Sequence, residues 1–166
     1  MQLLLKIIDK LNKLVYFIVG SMAIVMFLLI ISQIISRSIL SNSISWSEEL
    51  ARYLMIWIVF LGAALALRER SLIAIELLTY PLKDKWKKRL QIVVYIICTI
   101  FFTFILIYGI DLLQFVKVQS SPTLPFSMAI PYASIPVSAV FLIMNSLAIL
   151  LELFTKRHVD REGEVT

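Results

Sequence analysis

The sequence predicts an all-α integral membrane protein, with four transmembrane helices, a short interfacial amphipathic helix and both termini in the cytoplasm. Three observations predict it. Of 166 residues, 60% are hydrophobic and the mean hydropathy is +0.92. Soluble domains hold about 45–50% apolar residues, and a soluble core cannot absorb the excess, because long apolar runs would face water. The charges stand in the gaps between apolar runs of spanning length. The cations gather in alternate gaps, as cytoplasmic flanks of a membrane protein do. The whole chain, 1–166, reads as one membrane domain.

Lys13 and Arg37 bracket an uncharged run that makes the first span, about 14–36, long enough for roughly 30 Å of hydrocarbon. The lysines before it have the look of a signal-peptide n-region. The apolar run is too long for a signal core, however, and no small-residue cleavage site closes it, so the helix is expected to be retained. The second span, about 46–67, has an uncharged part of 53–67, short of the ~20 residues a crossing needs. The helix therefore begins near Trp46 and carries Glu48, Glu49 and Arg52 at the membrane boundary. Ser45 or Ser47 can cap it, and acids in its first turn suit the helix dipole. Arg52 is four residues from Glu48 and three from Glu49, so it reaches either on one helix face.

The stretch 68–89 is the most basic of the chain, with Arg68, Arg70, Lys83, Lys85, Lys87, Lys88 and Arg89 against Glu69, Glu76 and Asp84. Inside it, 71–80 is too short to span and is expected to lie along the membrane surface. The third span falls within 83–117. Cations at its start oppose the helix dipole by about 0.3–1 kcal/mol, but each gains about 1 kcal/mol against anionic phospholipid headgroups. The membrane contribution wins and marks this end as cytoplasmic. Pro122 and Pro125 punctuate a loop at 119–125. The fourth span is about 131–154, with Pro131 or Pro136 in its first turn, and 155–166 is a charged tail. Lys6, Lys10 and Lys13 at one end, the basic middle loop, and Lys156, Arg157 and Arg161 at the other then place both termini inside.

The sequence gives little for chemistry to use. One cysteine, Cys98, and one histidine, His158, make neither a disulfide framework nor a zinc site. No phosphate-binding loop, nucleophile elbow or nucleic-acid module stands in the chain. No catalytic, cofactor or metal site is expected, and the chain is not expected to be an enzyme or to bind nucleic acid. The first span has no embedded acid, so a small proton-coupled exporter lacks its coupling residue. No internal repeat suggests inverted-repeat architecture. Glu48, Glu49 and Arg52 have two readings, an ion or proton site or a boundary pair that anchors the helix. The structural or subunit-contact reading is preferred, because ionised groups in a membrane face protein rather than lipid. Asp111, on the outer side, has Arg37 or Lys117 as an expected partner or none. Cys98 and Trp57 read as packing residues, and Trp46 and Trp86 as anchors at opposite interfaces. Gly62, Ala63, Ala64 and Ala66 give the second span a small-residue face that permits close helix approach.

Ser45-Trp46-Ser47-Glu48-Glu49-Leu50-Ala51-Arg52-Tyr53, then Phe60-Leu61-Gly62-Ala63-Ala64, then Arg68, resemble the signature of the small membrane subunit (DctQ-like) of TRAP, the tripartite ATP-independent periplasmic transporters. Gln119-Ser120-Ser121-Pro122 and Pro131-Tyr132-Ala133-Ser134-Ile135-Pro136-Val137 are similar to that family as well. The resemblance implies a helper subunit in the bacterial inner membrane. Its implied partners are a large membrane subunit on a separate polypeptide, which moves as an elevator, and a periplasmic substrate-binding protein. Transport would be sodium-driven uptake of an organic acid, the small subunit enlarging the static scaffold. Trp46, Glu48, Glu49, Arg52, Gly62 and Arg68 are then candidates for subunit contact or structure, and Gln119, Ser121 and Pro122 for docking the binding protein. The alternative is an independent four-helix membrane protein, a homo-oligomeric exporter or an assembly factor.

Overall fold

The computed structural model describes residues 2–39, 45–69 and 84–162. The expected surface helix at 71–80 lies outside them. The described residues form helices α1 (Gln2–Ile39), α2 (Ser45–Arg68), α3 (Asp84–Val116), the single turn α4 (Ala129–Tyr132) and α5 (Ser134–Glu162). Four stretches are long and apolar enough to cross a membrane: Leu3–Ser38, Ser45–Arg68, Trp86–Val116 and Ala129–Thr155, the last including α4. At about 1.5 Å per residue, α1 is far longer than a bilayer's hydrocarbon core. Its first turns, with Lys6, Asp9, Lys10 and Lys13, therefore extend beyond the apolar layer.

The helices form an open row rather than a closed bundle. Helix α1 packs on α2, α2 on α5 and α5 on α3; α1 also meets α5 at a few residues, while neither α1 nor α2 touches α3 closely. Burial follows this order. In the most apolar stretches of α1 and α3, 6% of the residues are buried, against 33% in α2 and 50% in the fourth span. The two outer helices therefore present Phe17, Phe27, Ile97, Phe101 and Tyr108 outward, a surface suited to lipid or to another protein. Contacts between helix ends fix their directions. Arg68, last in α2, reaches Asp9 near the start of α1 and Glu152 near the end of α5. Ser146 of α5 bonds the Tyr95 carbonyl early in α3. The start of α1, the end of α2, the start of α3 and the end of α5 thus share one end of the row.

Two apolar clusters hold the row together. Ala64 and Leu67 of α2, Tyr95 of α3 and Leu142, Ile149, Leu150 and Leu153 of α5 form the larger. Val15 of α1 packs with Leu61 and Leu65 in the smaller, beside Val19, Trp57 and Phe141. Lipid tails are as apolar as leucine, so tight packing and interhelical hydrogen bonds must supply the attraction between helices. The central helix α5 accordingly buries Asn145 and Ser146 completely, and both bond neighbouring helices. Gly109 of α3 lies close against the start of α5. A Cβ there would meet Ile135 Cγ2 at 3.1 Å and the Pro136 ring at 3.3 Å.

Candidate functional site

The α2 residues singled out by the sequence separate into an inward and an outward set. Glu49 is 9% exposed and lies under the loop that joins α3 to α4. Its carboxylate accepts hydrogen bonds from the hydroxyls of Tyr53, Ser121 and Thr123 and from the Thr123 backbone N–H at 3.0 Å. Arg52 does not pair with it. A carboxylate satisfied by several donors needs no counter-ion, since each such bond carries part of its charge. Glu49 is thus a latch between the start of α2 and the 119–128 loop.

That loop is already folded on itself. Ser121 N–H donates to the Phe126 carbonyl at 2.9 Å and Met128 N–H to the Gln119 carbonyl at 2.9 Å, an antiparallel bridge between Ser120 and Ser127. Ser121 Oγ also accepts from Leu124 N–H at 3.2 Å, and Ser127 Oγ donates to the Lys117 carbonyl at 3.0 Å. Trp57 Nε1–H donates to the Ile130 carbonyl at 3.2 Å, which ties α4 to α2 about two turns below the latch. Of the three loop residues proposed for docking, Gln119 and Pro122 are exposed, whereas Ser121 is buried and committed to Glu49.

Glu48 and Arg52 face outward. They form an i,i+4 ion pair at 3.1 Å, with side chains 57% and 67% exposed, and Gln33 of α1 approaches Glu48 at 3.4 Å. Trp46 is also exposed. Beside them a cleft of about 450 Å³ opens between the start of α2 and the loop, over Ile56, Pro131 and Tyr132. Among the described residues no cluster of His, Cys, Asp or Glu is arranged to hold a metal ion. Asp111 is exposed and takes part in no ion pair there.

At the other end, Arg68 is the hub of a network that reading along the chain did not find. Its side chain is 15% exposed and bonds Asp9 at 2.8 Å and Glu152 at 2.8 Å. One turn deeper, Asn12 and Asn145 bond each other in both directions, at 2.7 and 2.9 Å. The remaining amide protons go to the carbonyls of Ile8 and Ala64, at 2.9 and 2.8 Å. All four amide protons are used, which is the condition for a buried polar pair to stabilise rather than cost. The two asparagines were the available signal, because uncharged polar residues within apolar spans seek partners on neighbouring helices. Gly62 makes no close approach to any described residue: a Cβ there meets nothing within 4 Å.

Residues 26–156 match the family described as tripartite ATP-independent periplasmic transporters, DctQ component. The chain is 35% identical over 77 residues to the sialic acid TRAP transporter permease protein SiaT of Haemophilus influenzae, a match covering 46% of this chain and 12% of that relative. It is 33% identical over 99 residues to the isethionate TRAP transporter permease protein DctMQ of Oleidesulfovibrio alaskensis, covering 56% of this chain and 15% of the relative. The chain therefore corresponds to a small part of these two longer proteins.

Proposed function

The chain belongs to the DctQ component family of the tripartite ATP-independent periplasmic transporters, and from that premise we propose that it braces the static part of a large membrane subunit during sodium-driven uptake of an organic acid. It is a multi-pass membrane protein and a TRAP-type small subunit. The observation that carries the bracing role is the open row. Four spanning helices in an open arrangement, with 6% of the residues buried in the most apolar stretch of each outer helix, leave broad apolar faces that call for lipid and a second protein. Polar contacts inside the row serve to fix helices to one another, as expected of a part that holds still. Sialic acid and isethionate, named for the two relatives, are both organic acids, which supports an organic acid as the transported class.

In this reading the end with Arg68 faces the cytoplasm of a bacterial inner membrane, with both termini there, and the latched loop faces the periplasm. The exposed Glu48–Arg52 pair and Trp46 contact the large subunit, while Gln119 and Pro122 lie where a substrate-binding protein docks. Affinity purification from the native membrane in mild detergent tests the core of the proposal. The expected result is a large polytopic partner in equal amount, and loss of sodium-dependent uptake when this chain is deleted. Recovery of the chain alone, or only with its own copies, would favour an independent oligomer.

A further inference from the structure

Two cavities lie between α1 and α2, of about 340 Å³ and 380 Å³. They share Tyr16, Leu65 and Glu69 and so form one groove. Its mouth lies at the charged end of the row. From there it descends past Gly20, Ala23, Gly62 and Ala66, about 15 Å into the apolar layer at ~1.5 Å per residue. A Cβ at Gly20 or at Gly62 would meet nothing within 4 Å, so none of the described residues fills the floor there.

The mouth decides what fits. Arg68 is engaged by Asp9 and Glu152. Lys13 and Glu69, both exposed, take part in no ion pair among the described residues. Among the described residues, one cation and one anion outside any ion pair therefore flank the opening of an apolar channel. We propose that the α1–α2 groove binds one zwitterionic phospholipid, phosphatidylethanolamine, with its phosphate on Lys13, its ammonium toward Glu69 and an acyl chain along Gly20 and Gly62. The polarity of the groove, charged at the boundary and apolar below, is that of a lipid. A purely anionic headgroup would satisfy Lys13 and be repelled by Glu69. A partner helix would prefer a face running the full height of the membrane, whereas this groove occupies one end.

The test is native mass spectrometry of the intact complex, released from nanodiscs of equimolar phosphatidylethanolamine and phosphatidylglycerol. One retained phosphatidylethanolamine is expected in the native protein. Its retention should fall about tenfold, the equivalent of one lost polar contact, in Lys13→Gln and, by filling the floor, in Gly62→Leu. Lys13 is exposed, so its substitution does not challenge folding, and an unchanged unfolding midpoint checks Gly62→Leu. Retention of the lipid by either variant, or preferential retention of phosphatidylglycerol, would overturn the proposal. So would release of the large partner by Gly62→Leu with the lipid still held, since the groove would then seat a protein helix.

Discussion

Glu48 and Glu49 are adjacent, chemically alike and opposite in role. A helix turns about 100° per residue, which sends Glu49 under the loop and leaves Glu48 facing outward beside Arg52. Substitution should separate them. Glu49→Ala strips the acceptor from the hydroxyls of Tyr53, Ser121 and Thr123 and from the Thr123 N–H. Protease cleavage within 117–128 should then rise about tenfold, because cleavage follows the population of the open loop. Glu48→Ala removes an exposed i,i+4 pair worth about 0.3–0.5 kcal/mol, and the loop should resist protease as before. Equal cleavage in the two variants would remove the latch. If Arg52→Ala leaves the unfolding midpoint unchanged yet loses the large partner, the outward pair is a contact with that partner.

Between elements, polar clamps set which helix lies beside which. Asn145→Leu strands the Asn12 amide and removes the bond to the Ala64 carbonyl, an expected loss of about 1–2 kcal/mol. Adding Asn12→Leu removes the stranded group, so the double variant should lose less than the sum of the singles, measured by a double-mutant cycle in detergent unfolding. Exact additivity would mean that the amides act independently. Arg68→Ala frees two carboxylates at the junction of α1, α2 and α5 and should destabilise by about 1–2 kcal/mol, below the figure for a fully buried pair because Asp9 is 57% exposed. Gly109 and Gly62 should behave oppositely. Gly109→Leu drives a side chain into Ile135 and Pro136, at a cost of about 1–3 kcal/mol or more, whereas Gly62→Leu enters open space and should leave the unfolding midpoint in place.

The whole molecule has two unlike ends. The Arg68 end carries the ionic hub and the Asn12–Asn145 pair, and the other carries the latched loop. Their assignment to the cytoplasm and periplasm is tested by cysteine labelling in a Cys98→Ala background. Gln119→Cys should react with an impermeant maleimide in intact spheroplasts, and Lys6→Cys only after lysis; the reverse pattern would invert the topology. Hydropathy and charge along the chain were enough to mark four spans, and the Trp46–Arg52 motif with Gly62 and Arg68 was enough to point to the family, because span length and local motifs are properties of consecutive residues. The partner of Glu49 was not legible. Ser121 lies 72 residues away, and the nearest cation, Arg52, was equally plausible by spacing. Asn12 and Asn145, 133 residues apart, met for the same reason: rotation and register between helices, not sequence spacing, decide which polar groups face each other. Tertiary structure alone arranged α1, α2, α5 and α3 in a row, closed Gly109 against α5 and left Gly62 open. Hydrophobicity drives every span into the bilayer alike, and it is the close packing and hydrogen bonds among them that choose neighbours.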